Sequence, residues 1–160
     1  MQKIRRGGNV KRFHTLQTIN EQRNGQHSWG VAVIIHKLWP DCSRDLLLAA
    51  LYHDVPEYIT GDIPADCKWR FDELSTELSA AETEIIGDLG IPKPGHLPIK
   101  DYRRLKIADM LELMWFCLEE MQMGNTTIRE VFNKGWDHLL TLELDAPSKR
   151  MLRDMTNEHH

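Results

Sequence analysis

The stretch LLLAALYHD, residues 46–54, decides how this sequence folds, because a run of apolar and aromatic residues leads directly into a histidine and an aspartate. A helix that is apolar around most of its circumference is normally buried. Burying an ionisable pair such as His53 and Asp54 is costly unless a partner compensates for it. A divalent cation is one such partner, since a neutral imidazole and a carboxylate can both bind it. The stretch therefore predicts a buried helix that ends at a metal site.

Two further polar residues lie in apolar surroundings. Asp109 stands within LKIADMLELMW, residues 105–115, a segment that should pass through the centre of the protein. Its carboxylate is either a metal ligand or the partner of an arginine or a helix N-terminus in the core. His27 lies at the edge of a second apolar segment, residues 29–35, where a lone histidine is more often a packing or capping residue.

Taken together, these residues form a candidate set of metal ligands. His27, His53, Asp54 and Asp109 would supply four nitrogen and oxygen ligands from three helices and leave room for water and substrate. The set is hard to borderline in character, which fits Co, Mn, Zn, Fe or Mg and does not distinguish among them. We therefore predict a divalent metal ion as the cofactor.

Composition and charge limit the class of protein. The 160 residues suit a single domain, residues 1–160, with a core of its own. The net charge of −4 argues against nucleic acid as a partner. The longest apolar run, residues 46–52, is too short to span a bilayer, so no membrane association is expected. The three cysteines show no C-x-x-C spacing, which favours reduced thiols and a cytoplasmic location.

The hydrophobic periodicity predicts helices throughout and no strands. Ser43 is a good N-cap for the helix that leads to the His-Asp pair. We expect an all-α fold, a compact single-domain helical bundle, because the loops between the helices are short. The predicted helices cover residues 13–21, 26–38, 44–54, 72–88, 99–123 and 127–144, with a break at Asn24-Gly25 and a short terminal piece after Pro147.

The two ends of the chain carry unusual composition. Residues 1–11 are basic and acids are absent before Glu21, which indicates either a solvated, flexible arm or an electropositive lip beside a phosphate pocket. The closing pair, His159 and His160, is either native or the remnant of an expression tag, and we exclude it from the site.

The order of these residues resembles a known family. His27, the pair His53-Asp54 and Asp109 follow the pattern of the HD-domain metal-dependent phosphohydrolases. HDVPE at residues 53–57 and TGDIP at residues 60–64 are similar to the bacterial YfbR-like 5′-deoxynucleotidases and to short phage dATP triphosphohydrolases. The resemblance runs from about residue 12 to residue 125 and implies the HD-domain type of helical bundle.

The resemblance also implies roles for residues outside the ligand set. Glu57 matches the acid that orients or deprotonates the attacking water, and Asp62 matches a second catalytic acid near the leaving group. Arg12 and Lys68 match cationic contacts to phosphate, and Phe13 stands where the family places an aromatic ring against the nucleoside.

Two positions need separate comment. Trp69, which follows the cationic Lys68, is either a contact to the base or a core anchor. The residue before the first ligand is often Glu in relatives and is Gln26 here, so we expect an outer-shell charge to be missing and the metal affinity to be tuned by its loss.

The expected activity is metal-dependent hydrolysis of 2′-deoxynucleotide phosphate esters. We favour a dATP or dNTP triphosphohydrolase that releases deoxynucleoside and triphosphate, with a 5′-deoxynucleotidase acting on dNMPs as the alternative. A non-catalytic nucleotide-binding helical module is a third hypothesis, which loss of Glu57 or Asp62 would have marked. The resemblance further implies a homo-oligomer, either a dimer or a hexamer, and a location in the host cytoplasm if a phage encodes the chain.

Overall fold

The computed structural model describes residues 1–157, and among these it contains helices and no strand, as the sequence predicts. The closing pair His159-His160, which is either native or the remnant of an expression tag, lies outside the described residues. A single 3₁₀ turn, Pro94–His96, occupies the irregular connection between the two longest helices. In chain order the helices are α1 Gln2–Gly7, α2 Asn24–Leu38, α3 Arg44–Tyr52, α4 Glu57–Thr60, α5 Ala65–Arg70, α6 Asp72–Leu89, α7 Ile99–Gln122, α8 Arg129–Thr141 and α9 Ala146–Asn157.

Helix α7 is the centre of the bundle. It packs against α2, α3, α8 and α9, and its side chains Leu111 and Met114 are fully buried. Helix α2 contributes Ile35 and helix α3 contributes Leu46 to the same core. Each such side chain stabilises the fold by about 1.5–3 kcal/mol relative to an exposed one. Asp109 therefore lies on the central helix of the bundle.

Helix α3 delivers the His-Asp pair. The Ser43 hydroxyl oxygen accepts a hydrogen bond from the Leu46 backbone N–H at 3.1 Å, which confirms the predicted N-cap. The helix ends at Tyr52, with His53 as its C-cap. Both members of the pair therefore stand in the turn after the helix.

The prediction of a helix over residues 13–21 is wrong. This segment crosses α7 without helical structure, and its backbone N–H groups at Ile19 and Asn20 donate to the carboxylate of Glu120, each at 2.7 Å. Glu120 is fully buried and also accepts a bond from the Asn125 side chain at 2.8 Å. Tertiary hydrogen bonds thus replace the local ones that a helix would have made.

Further differences from the predicted helices concern α2, α1 and α5. Helix α2 begins at Asn24, so the residues read as a break form its first turn. Helices α1 and α5 were not predicted. Part of the basic N-terminal arm is the helix α1, and its Gly7 lies so close to the turn before α4 that a Cβ there would be 2.7 Å from the Val55 Cα. No helix among the described residues is both long and apolar enough to cross a membrane.

Replacing Glu120 with Gln is expected to lower the free energy of unfolding by about 2–4 kcal/mol, since an amide offers one acceptor oxygen and turns an NH₂ group toward buried donors. Urea unfolding measures the change. The exposed neighbour Glu119→Gln is the matched control and should stay within about 0.5 kcal/mol of the unmodified chain. Equal stabilities for the two variants would contradict the role given to Glu120.

Candidate metal centre and nucleotide cavity

The four predicted ligands come together at one point. The Nε2 atom of His27 lies 3.0 Å from an Asp109 carboxylate oxygen and 3.6 Å from one of Asp54. The Nε2 atom of His53 lies 3.4 Å from the other Asp54 oxygen, 3.9 Å from the same Asp109 oxygen and 3.3 Å from His27 Nε2. Helices α2 and α7 and the turn after α3 therefore bring two nitrogens and three oxygens within reach of one ion.

The Nδ1 atom of each imidazole points away from the cluster and contacts a protein oxygen. His53 Nδ1 lies 2.8 Å from the Ala50 carbonyl oxygen and donates to it. His27 Nδ1 contacts a carboxylate oxygen of Glu112. Donation from both Nδ1 atoms leaves both Nε2 lone pairs directed at the cluster, which is the arrangement that metal-binding histidines show.

This donor set fits a divalent cation. Two imidazole lone pairs and two carboxylates face each other, and His27 is completely buried. Such a group of acceptors is stable only with protons or a cation between them. In the cation-free protein, burial and Arg12 lower the pKa of His27, yet its bonds to Asp109 and Glu112 outweigh them and raise it to about 9.

Glu57 lies beside the cluster as the first residue of α4. Only 5% of it is exposed, and the Asn24 side-chain amide donates to its carboxylate at 2.7 Å. Burial first, and then the charge of Asp54, raise the pKa of Glu57 to about 8, against the effect of Asn24. A carboxyl group whose pKa lies close to neutral pH can both accept and release a proton there.

The predicted phosphate contacts lie at the rim of the cluster. The Arg12 guanidinium donates to Asp54 at 2.9 Å, and its Nε has no partner among the described residues. Lys68 Nζ lies 3.9 Å from Glu57. Asp62 follows α4 in the loop that Gly61 opens with a φ of 74°, and it faces His14 at 3.9 Å. The structure thus brings Arg12, Lys68 and Asp62 to the same cavity as the cluster.

A cavity of about 360 Å³ opens from this cluster and is large enough for a small ligand. Phe13 lines it and stacks on Phe116 with ring centroids 4.8 Å apart. Trp69 lines it as well, half-exposed, with its ring stacked on His138 at 5.3 Å. The structure therefore places Trp69 at the cavity and not in the core. Helices α7 and α8 and the loop between them complete the lining with Lys106, Met110, Leu113, Thr127, Glu130, Val131, Lys134 and Gly135.

Sequence reasoning missed three residues of this site. Asn24 was read as part of a chain break, and it instead holds Glu57. Lys106 and Glu112 stand three residues on either side of Asp109, the spacing that places side chains on one helical face, and that spacing could have identified both. Glu112 also corrects the expectation set by Gln26, because His27 does have a carboxylate in its outer shell.

We expect the cation-free protein to lose stability as pH rises from about 5 to about 9. His27 and Glu57 both have pKa values raised by folding, so the folded state binds more protons than the unfolded state in this range and the free energy of unfolding falls with pH. Urea unfolding with a chelator at both pH values should show a decrease of at least about 1.4 kcal/mol, the equivalent of one pKa unit. Added Zn²⁺ should reverse the trend because it competes with protons. If the chelated protein gained stability between about pH 5 and about pH 9, that result would contradict the raised pKa values assigned to His27 and Glu57.

The arrangement of helices occurs in solved structures of one class. A cyanophage S-2L HD phosphohydrolase bound to dA and one catalytic Zn²⁺ ion superposes with a TM-score of 0.76 over 99% of this chain and 95% of that one, at 18% identity. An HD-domain phosphohydrolase from Listeria innocua gives a TM-score of 0.78 at 21% identity over 98% and 86%. The fold is therefore that of the HD-domain phosphohydrolases.

Sequence comparison narrows the class. A family model described as 5′-deoxynucleotidase YfbR-like matches residues 1–91, and the chain belongs to this family. A dATP triphosphohydrolase of Salmonella phage PMBT28 is 33% identical over 125 residues, which is 69% of this chain and 61% of that protein. The 5′-deoxynucleotidase YfbR of Salmonella typhi is 27% identical over 142 residues, 75% and 71% of the two chains. The alignment thus spans less than two thirds of the phage relative.

Proposed function

We propose that the chain hydrolyses the 5′-phosphate ester bond of 2′-deoxynucleotides, with a divalent cation held by His27, His53, Asp54 and Asp109. The observation that carries the proposal is the convergence of these four side chains at the end of a cavity that is also lined by cationic groups. The family and both curated relatives agree with this class of reaction.

Different side chains of the chain would bind the phosphate and transfer protons. The four ligands would hold a cation whose chemistry, when bound, would be to polarise the phosphoryl group and to lower the pKa of water. Arg12 and Lys68 would hold phosphate oxygens, and positioning of this kind supplies much of the catalysis of phosphoryl transfer. Glu57, beside the cluster and with a raised pKa, would take the proton of the attacking water, and Asp62 would act at the leaving group.

Within this class we favour hydrolysis of dATP or another dNTP with release of triphosphate. The cavity is lined by Lys106 in addition to Arg12 and Lys68, so a third cationic side chain is available for a polyphosphate. The phage relative is the more similar of the two, at 33% against 27% identity. A 5′-deoxynucleotidase acting on dNMPs is the second candidate, because the matching family model carries that description.

A substrate panel tests the proposal. The protein loaded in turn with Co²⁺, Mn²⁺ or Zn²⁺ is incubated with each dNMP and dNTP, and the products are separated by anion-exchange chromatography. Triphosphate and deoxynucleoside are expected from dATP. Inorganic phosphate from dNMPs alone would establish the second candidate, and no turnover of either set would overturn the proposal.

Replacing Lys106 with Ala is expected to raise KM for dATP about 10-fold or more while changing KM for dAMP less than about 3-fold, because a lost charge contact costs on the order of 1.5 kcal/mol or more. Steady-state kinetics with both substrates measure the difference. Lys93→Ala, in the loop before the 3₁₀ turn and outside the residues that line the cavity, is the matched control. An equal change for both nucleotides would contradict a role beyond the first phosphate.

An oligomeric assembly, as a dimer or hexamer, and a cytoplasmic location stay predictions. Size-exclusion chromatography with light scattering tests the first. Neither bears on the assignment of the reaction, because all the groups named above belong to one chain.

A further inference from the structure

Glu112 makes the outer contact of the most buried ligand in the cluster. His27 is fully buried, and its Nδ1 faces one carboxylate oxygen of Glu112, whose side chain is 12% exposed. The other oxygen of Glu112 accepts a hydrogen bond from the Gln22 side-chain amide at 2.9 Å. Gln22 is itself 6% exposed. Both carboxylate oxygens are therefore engaged, and the side chain is held in one orientation.

Gly30 provides the space in which Glu112 lies. It stands in the interior of α2, where glycine is a poor helix former. A Cβ at this position would come within 2.7 Å of Glu112 Cγ and 3.1 Å of its Oε1. These distances are too short for an unmoved neighbour, so any side chain at residue 30 would force the Glu112 side chain to move.

Gln26, the residue directly before His27, serves another purpose. Its side-chain oxygen accepts a hydrogen bond from the Arg23 backbone N–H at 2.9 Å at the start of α2. It is exposed, whereas the Glu112 contact to His27 is largely shielded from water. The negative charge outside the first ligand thus comes from α7 and not from the neighbouring position in the sequence.

We propose that Glu112 is a positioning residue for the metal centre, which holds the Nδ1–H of His27 so that Nε2 stays free for the cation, and that Gly30 is retained to admit it. The inference rests on the metal site of the proposed function. Outer carboxylates of this kind fix the tautomer and ring orientation of a ligating histidine and raise its basicity. Glu112 itself is not among the described residues that line the nucleotide cavity, so it would act through His27 alone.

The test uses Co²⁺ as the probe, because its absorption and its binding isotherm can be followed without substrate. Glu112→Ala and Glu112→Gln are expected to weaken Co²⁺ binding about 10- to 100-fold. At saturating Co²⁺, KM for the nucleotide should stay unchanged while kcat falls. The control on the same helix is the exposed Glu119→Gln, which should bind Co²⁺ as the unmodified chain does.

Gly30→Ala provides a second variant that does not touch the carboxylate chemically. Alanine favours the helix, so a purely structural role for this position predicts an equal or more stable protein with unchanged Co²⁺ affinity. The proposal predicts weaker Co²⁺ binding by about 10-fold or more, since Glu112 must move. Gly87→Ala is the matched control, because a Cβ there meets no described atom within 4 Å.

The outcomes separate the two proposals. Weaker Co²⁺ binding in the Glu112 and Gly30 variants, with both controls unchanged, supports the positioning role. Unchanged Co²⁺ affinity in a folded Glu112→Ala protein overturns the positioning role and leaves the proposed function intact. If Glu112→Ala does not fold, unchanged Co²⁺ affinity in Gly30→Ala has the same meaning. Failure of the unmodified chain to bind Co²⁺ would overturn the metal site and this inference together.

Discussion

Replacing Asp109 with Asn should abolish hydrolysis, with a loss of about 1,000-fold or more in kcat/KM. A single oxygen of the Asp109 carboxylate approaches both the His27 and the His53 Nε2 atoms, at 3.0 and 3.9 Å. Burial would raise the pKa of Asp109, but the bond from His27 and the charge of His53 hold it well below its usual range, so it is anionic whenever a cation could bind. Loss of an outer-shell partner alone costs about 10- to 100-fold, and a ligand should cost more.

Three measurements make this prediction specific. Co²⁺ titration should show binding at least about 100-fold weaker, in line with the loss of a charged ligand. Circular dichroism should show an unchanged helical content, since Asn fills the same volume. Asp88→Asn, exposed on α6, is the matched control and should leave both binding and turnover unchanged. A folded Asp109→Asn protein that kept its metal and its turnover would refute the ligand assignment.

The proposed ligands on α7 and directly after α3 could be predicted from sequence because they interrupt apolar segments. Asp109 stands in an apolar segment, and the pair His53-Asp54 ends one, so the cost of burial points to a compensating ion. Both segments became buried helices, or the turn directly after one, at the predicted positions. Local periodicity and the energetics of burial were sufficient there.

The residues around the ligands could not be found in the same way. The segment over residues 13–21 has no local signal for its irregular path, which follows from tertiary contacts such as those of its backbone N–H groups to the buried carboxylate of Glu120, about one hundred residues away. Asn24 and Gly25 look like a break, yet Asn24 holds Glu57 from the first turn of α2. Contacts of this range depend on how helices pack, which sequence periodicity does not specify.

The proposed ligands and the residues that support them therefore differ in how far the sequence pattern reveals them. The ligands are marked locally, as polar residues in apolar stretches. Their supports, Glu112 for His27 and Asn24 for Glu57, come from other helices and follow ordinary surface spacing. Sequence alone thus predicted which side chains meet in the candidate metal centre, whereas the contacts that orient them depend on the packing of α2 against α7.

Replacing Glu57 with Gln is expected to lower kcat about 10²- to 10⁴-fold while leaving Co²⁺ affinity within about 3-fold, because the change removes a proton acceptor and not a ligand. The Gln side chain keeps the volume, and its oxygen can still accept the bond that Asn24 donates to Glu57 at 2.7 Å. The raised pKa of Glu57 means that its ionised form is disfavoured by folding. Above about pH 8 the variant should therefore unfold at higher urea concentration than the unmodified chain.

This combination separates catalysis from structure. A residue that merely supported the fold would lose stability and metal on replacement, whereas Glu57→Gln should gain stability, keep Co²⁺ and lose turnover. Glu84→Gln, exposed on α6, controls for the removal of one carboxylate and should change none of the three. Retention of kcat within about 3-fold in the Glu57 variant would show that the proton of the attacking water goes elsewhere, and Asp62 would then be the remaining acid at the cavity with a role in the reaction.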